Sequence, residues 1–298
     1  MFDWQNIIVQ IQNGNLSVSE TNEQGETFLY LAVDEENFDV CKTLISLGAN
    51  VNDIFNMISV LMSAVSRNNW KITKLLIDSG ADVNLKAEDD TYSILHEALQ
   101  ANASLEIIKL LIDNNADVRA KTDEDYTILH TAAYNSNYKI SELIINTKAI
   151  LNIERSDNEG YTPFLKAMFW GNLKTGQLLV SKGADVSVIC NHKERFNNAL
   201  QIATRYWGTL ETIQWLISIG FDANIKDYEG YSLLHYVAGC NRYSIHIAKS
   251  LIEKGLDVNL EYISTRESSK RYRTPLQIAM SNSNYKMADL LKKYGAIK

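Results

Sequence analysis

The sequence predicts an all-α fold, a solenoid of short helix–turn–helix–loop units stacked one on the next. Three observations carry this. One phrase returns eight times: TFLYLA from Thr27, SVLMSA from Ser59, SILHEA from Ser93, TILHTA from Thr127, TPFLKA from Thr162, NALQIA from Asn198, SLLHYV from Ser232 and TPLQIA from Thr274. Their starts lie 32, 34, 34, 35, 36, 34 and 42 residues apart. A second phrase follows at a nearly fixed distance, as in LISLGANVN ending at Asn52, LLIDSGADVN at Asn84, LLIDNNADVR at Arg119 and LLVSKGADVS at Ser187. Repetition at such an interval marks stacked supersecondary units, each unable to bury its apolar face alone.

The elements follow in order. Asp3–Val18, containing IIVQIQNGN, reads as the outer helix and stop of a half-unit, an N-terminal cap over 1–21. The array is expected over 22–298, with units starting near 22, 54, 88, 122, 157, 193, 227 and 269. In each, a hydroxyl (Thr27, Ser59, Ser93, Thr127, Thr162, Ser232, Thr274) stands where an N-cap would satisfy the amides of the first turn. Pro163 and Pro275 follow two of these hydroxyls, at the first helical position, where the missing N–H is harmless. A leucine two residues on and a small residue three further share one helix face: Leu29 with Ala32, Leu61 with Ala64, Leu95 with Ala98, Leu129 with Ala132, Leu276 with Ala279. The second helix is expected to stop at Gly48, Gly80, Gly183, Gly220, Gly255 and Gly295, where a left-handed residue ends the helix. Asn115 and Lys148 occupy that place in two units; Asn tolerates the conformation, and Lys148 is expected to be mildly strained. Asp/Asn/Gly-rich segments such as NIKDYEG then read as turns.

These residues resemble the ankyrin repeat, whose consensus runs roughly D-x-x-G-x-T-P-L-H-x-A-A, an outer helix, then L-L-x-x-G-A-D-V-N. The resemblance covers the chain from about Asn22 to Lys298. The consensus proline survives twice and the consensus histidine at His96, His130 and His235; the sixth repeat, with Asn198, Gln201 and Phe221, is the least regular.

Composition sets bounds. No apolar run approaches the roughly 20 residues of a membrane span, and the N-terminus carries Asp3 without the basic region of a secretory signal. Cys41, Cys190 and Cys240 are odd in number and scattered, which fits reduced thiols. A cytoplasmic monomer is expected, with the nucleus as the alternative compartment. The net charge of −7 conceals an asymmetry: residues 1–160 hold 25 acidic against 11 basic residues, and residues 161–298 hold 11 against 18. Non-specific nucleic-acid binding is disfavoured, because the acidic half would repel phosphate.

No catalytic site, metal site or cofactor is expected. The three histidines share one repeat position, which points to a structural bond to adjacent loops rather than to one grafted site. Cys190 and His192 form a lone C-x-H with no second pair for tetrahedral zinc. No phosphate loop, dinucleotide turn, H-E-x-x-H or nucleophile elbow occurs.

In the family this chain resembles, partners dock on the concave face made by loop tips and inner helices. The position before each hydroxyl holds Glu26, Ile58, Tyr92, Tyr126, Tyr161, Asn197, Tyr231 and Arg273. The end of the inner helix adds Tyr134, Asn135, Phe169, Trp170, Arg205 and Tyr206. Aromatics and arginine on one rim are what interface centres favour. Phe169 and Trp170 are adjacent and cannot both point into one helix face. Glu23, Glu26, Asp34 and Glu35 form an acidic patch suited to a basic segment. The loop LEYISTRESSKRYR, Leu260 to Arg273, is longer than its siblings and reads either as a solvated tip or as a basic loop that phosphorylation at Ser264, Thr265, Ser268 or Ser269 would neutralise. The expected function is a non-catalytic scaffold or adaptor that holds a protein partner. Two alternatives stand beside it: an inhibitor resembling the inhibitor-of-NF-κB family, masking a basic segment, and a small-ligand or nucleotide receptor with bases stacked on aromatics.

Overall fold

Each Thr, Ser or Asn that opens the short phrase starts a helix of seven residues. In a computed structural model of the chain these inner helices are α2 (Phe28–Asp34), α4 (Val60–Ser66), α6 (Ile94–Gln100), α8 (Ile128–Tyr134), α10 (Pro163–Phe169), α12 (Ala199–Arg205), α14 (Leu233–Gly239) and α16 (Pro275–Ser281). Each is followed by an outer helix: α3 (Phe38–Ser46), α5 (Trp70–Asp78), α7 (Leu105–Asp113), α9 (Tyr138–Ile145), α11 (Leu173–Ser181), α13 (Leu210–Ser218), α15 (Ile245–Glu253) and α17 (Tyr285–Lys293). Ahead of them stands α1 (Trp4–Gln12). The structure describes all residues except 1, 87–91, 148–150, 191–196, 228–229, 240–244, 265–270 and 298, and of 263, 264, 271 and 272 the backbone only.

The chain forms two compact units, residues 1–151 and 152–298. In the first, α2, α4, α6 and α8 stack in sequence order as an inner layer, α3, α5, α7 and α9 as an outer layer, and α1 packs on α3. In the second, α10, α12, α14 and α16 form the inner layer, with α13, α15 and α17 packed in order outside. The boundary falls beside Lys148, the position without a stop glycine or asparagine, which lies outside the described residues.

Most of the capping hydroxyls do what their position predicts. Thr27, Ser59, Ser93 and Thr162 accept from the third residue of their helices, and Asn198 does the same in the sixth repeat. Each such cap is worth about 1 kcal/mol. The paired leucines and alanines of α2, α4, α6, α8 and α16 are all buried. The small residue lets the next helix approach, and each buried leucine contributes about 1.5–3 kcal/mol. Gly48, Gly80, Gly183, Gly220, Gly255 and Gly295 all have φ between 90° and 109°, and Asn115 stands in for glycine at φ 66°.

The second phrase has its own physical logic. The Asp of A-D-V-N and of its variants A-D-V-R and L-D-V-N accepts from the backbone two residues on: Asp82 from Asn84 at 2.8 Å, Asp117 from Arg119 at 2.9 Å, Asp257 from Asn259 at 2.8 Å. The closing Asn reaches the next repeat. Asn52 Oδ1 accepts from Asp82 N–H at 2.8 Å, Asn84 Oδ1 from Asp117 N–H at 2.9 Å and Asn259 Oδ1 from Ile297 N–H at 2.8 Å. Asp closes the local turn, and Asn fixes the spacing between repeats.

Two short hairpins were not legible as strands. β1 (Ile54–Phe55) pairs with β2 (Ile58–Ser59) across Asn56 and Met57, both at positive φ. The stems of the long loop pair as β3 (Tyr262–Ser264) and β4 (Arg271–Arg273), with Tyr262 opposite Arg273. The tip, with Thr265, Arg266, Ser268, Ser269 and Lys270, lies outside the described residues, as do the side chains of Ser264 and Arg271.

Candidate functional site

The histidines are tied into the scaffold. Nδ1 of His96 accepts from Ser93 N–H at 3.3 Å, and its Nε2 lies 3.1 Å from Tyr126 O of the next repeat. Nδ1 of His235 accepts from Ser232 N–H at 3.0 Å, and its Nε2 lies 3.2 Å from Arg273 O. With Nδ1 accepting, the proton sits on Nε2 and is donated to the neighbouring loop. His130 Nδ1 accepts from Thr127 N–H at 3.2 Å in the same way. Glutamine replaces histidine at Gln201 and Gln277, where Oε1 accepts the N-cap N–H at 3.0 Å.

Burial pushes the His235 imidazole down to about 4, against the backbone carbonyls of Arg273 and Leu260, which favour its charged form. An unfolded imidazole titrates near 6.5. Between these values the unfolded chain binds a proton that the folded chain excludes. Stability is therefore expected to fall as pH drops from about 6.5 toward 4, by about 1.4 kcal/mol per pH unit from this group. His235→Gln keeps the cap and should flatten the slope. Parallel stability–pH curves for the two proteins, measured by urea unfolding, would remove His235 from the acid response.

No cluster of three or more His, Cys, Asp or Glu among the described residues could hold a metal. Cys41 and Cys190 are buried, and burial pushes the Cys41 thiol up to about 12. Cys240 and His192 lie outside the described residues. No described helix is long and apolar enough to cross a membrane.

In the first unit the structure brings Tyr92, Tyr126 and Tyr134 together. With Gln100, Glu124 and Thr131 they line a cavity of about 430 Å³ beside the ends of α6 and α8. Tyr92 and Tyr134 are 40% and 42% exposed. Tyr92 meets the His96 ring edge-on, and Tyr126 lies 5.1 Å from the His130 ring. The acidic patch is more engaged than its sequence suggests. Asp34 pairs with Arg67, Glu35 accepts from Trp4 Nε1–H at 2.7 Å, and Glu26 accepts from Asn22 Nδ2–H at 2.7 Å. Only Glu23 of the four has no partner among the described residues.

In the second unit the C-terminal ends of α10 and α12 are clamped together. Trp207 N–H donates to Phe169 O at 2.9 Å. Gly171 stands at φ 69°, and a Cβ there would meet Trp207 O at 2.4 Å, so only glycine permits this approach. The side chains then stack in pairs, Phe169 on Tyr206 with centroids 4.0 Å apart and Trp170 on Trp207 at 6.1 Å. Trp207 is half exposed. Arg205, the last residue of α12, lies 5.8 Å from the Tyr206 ring and 5.3 Å from that of Tyr236. Tyr231 stacks on Tyr236 at 5.5 Å.

Tyr161 departs from the other repeat-position tyrosines. It is 4% exposed, met edge-on by Phe169, with Lys166 Nζ 4.4 Å over its ring. Its hydroxyl is pushed well above the usual range by burial first and by Tyr206 second. Lys166 Nζ lies 3.0 Å from Asp157 Oδ2, an ion pair not aligned as a hydrogen bond, and 3.1 Å from Glu159. Trp207, Tyr236 and Tyr262 were missed as site residues. Trp207 had a signal: Tyr206–Trp207 repeats the aromatic pair Phe169–Trp170 one unit later.

The comparisons with known proteins agree with this architecture. A family model described as ankyrin repeats in three copies matches residues 50–122, 95–190 and 200–298, and one for the single ankyrin repeat matches 24–56. The chain belongs to the ankyrin-repeat family. No curated protein matches it in sequence. The crystal structure of the human ASB11 ankyrin repeat domain is similar in fold, with a TM-score of 0.62 and 20% identity over 78% of this chain and 99% of that one. Ankyrin repeats are generally protein–protein interaction modules, and the fold is typically a non-catalytic scaffold.

Proposed function

We propose that this protein is a non-catalytic scaffold or adaptor whose inner-helix side holds a protein partner. The array, on this reading, runs over 22–298 behind a capping half-repeat at 1–21, in a cytoplasmic monomer. The observation that carries it is the stacked aromatic ladder of Phe169, Trp170, Tyr206 and Trp207, with Trp207 half exposed at its edge. Stacked rings offer a large, rigid apolar contact at low entropic cost, which is the chemistry of interface anchors. Tyr92, Tyr126 and Tyr134 supply a second contact, in the first unit. An inhibitor-like mode, with the acidic residues receiving a basic segment, has less support because Asp34, Glu35 and Glu26 already have partners. A nucleotide receptor has no phosphate-binding motif in its favour.

The test is affinity capture of partners followed by titration of the captured protein against Trp170→Ala and Trp207→Ala. Each is expected to lose more than about 1 kcal/mol of affinity, roughly fivefold, and up to about 2 kcal/mol. The thermal midpoint of Trp207→Ala should stay near that of the parent. Unchanged affinity in both variants would remove the ladder from the interface.

A further inference from the structure

A second feature of the 152–298 unit lies beside the ladder and is built differently. Arg205, Asp227, Tyr231, Tyr236, Tyr262 and Arg273 are among the residues lining a cavity of about 350 Å³ between α12, α14, α16 and the β3–β4 hairpin. The guanidinium of Arg205 lies over the rings of Tyr206 and Tyr236, 5.8 and 5.3 Å from their centroids, and no carboxylate among the described residues lies within ion-pair distance of it. An arginine fixed through its ring-facing surface keeps its in-plane N–H groups for an acceptor.

Among the described lining residues the one carboxylate is committed elsewhere. Asp227 accepts from Tyr236 Oη–H and, at 2.8 Å, from Tyr231 N–H. Tyr231 Oη–H donates to Tyr262 Oη at 2.7 Å. That leaves the proton of Tyr262 Oη without an acceptor among the described residues, on a side chain only 5% exposed. A buried hydroxyl donor and an arginine with no counter-ion among the described residues, both lining one cavity, are two donors that one acceptor can satisfy.

We propose that this cavity receives the carboxylate of an aspartate or glutamate side chain on the partner, held by the guanidinium of Arg205 and the hydroxyl of Tyr262. The proposal rests on the reading of this side as protein-binding and names the partner's chemistry. Among the described lining residues the charged ones are Arg205, Arg273 and Asp227, a net of one positive charge, which a single carboxylate neutralises and a phosphate dianion overshoots. The excess of basic over acidic residues in 161–298 adds long-range attraction of the same sign.

The experiment uses the full chain and terminally blocked, fluorescent Gly-Ser peptides carrying two glutamates, two glutamines or two phosphoserines. The glutamate peptide is expected to bind roughly tenfold or more tightly than the glutamine peptide, the scale of one charge-assisted hydrogen-bond pair. Arg205→Gln should abolish that preference, and Tyr262→Phe should reduce it severalfold with the fold intact by circular dichroism. Lys254→Gln, which removes the same charge after α15, should leave it unchanged. Equal binding of the glutamate and glutamine peptides overturns the proposal. So does an Arg205→Gln variant that keeps the preference, or a Lys254→Gln variant that loses as much as Arg205→Gln. A phosphoserine peptide bound more tightly than the glutamate peptide overturns the carboxylate assignment. The scaffold reading is separately exposed: partner affinity lost in Trp207→Ala but kept in Arg205→Gln leaves the scaffold standing and removes the cavity from it.

Discussion

Replacing Tyr161 by Ala is expected to destabilise the 152–298 unit by about 3–5 kcal/mol, the cost of truncating a large buried aromatic. Tyr161 is 4% exposed, so its loss leaves a cavity beneath Phe169 and uncovers Lys166 and its contact with Asp157. Exposing a buried ion pair to rearrangement adds to the packing term. Three of the five tryptophans, Trp170, Trp207 and Trp215, lie in this unit, so urea unfolding followed by tryptophan fluorescence is weighted toward it. The affinity of the folded protein for a captured partner should change little. A loss below about 1 kcal/mol would contradict the buried role. Normal stability with weakened binding would return Tyr161 to the surface.

The second large effect is expected at Leu129, 4% exposed in α8, where truncation to Ala should cost about 2–5 kcal/mol through lost transfer energy and a residual cavity. Because α8 packs on α6 and α9, the damage should reach those neighbours before the rest of the 1–151 unit. Hydrogen exchange over residues 94–145 reads this out directly. Protection retained in α6 and α9, with loss confined to α8, would contradict the coupling of stacked repeats.

The fold was legible because each repeat spells out its own local rules. A hydroxyl caps, a leucine and an alanine share a face, a glycine stops, and Asp–Val–Asn closes the turn and reaches onward. All depend on neighbours in sequence or on the equivalent position one repeat away, so repetition makes them visible. The aromatic pair Phe169–Trp170 was also visible, since two adjacent rings cannot share one helix face.

The site was legible only in part, because exposure and pairing depend on what the next repeat places opposite. Tyr92 and Tyr161 occupy the same repeat position, yet one is 40% and the other 4% exposed. The difference at Tyr161 comes from Phe169 and Lys166. The acidic patch read as open charge until Arg67, Trp4 and Asn22 were seen to engage it.

By itself the sequence determined the helices, their caps and stops, the order of the repeats and the structural role of the histidines. Each is set by short-range geometry repeated at a nearly fixed interval. Only the tertiary structure decided which tyrosines are buried, that Trp170 stacks on Trp207, and that Arg205 and Tyr262 line one cavity. Those outcomes depend on side chains from different repeats meeting in space. Their contacts are set by the approach of one helix to the next, which at Gly171 is close enough to exclude a single methyl group.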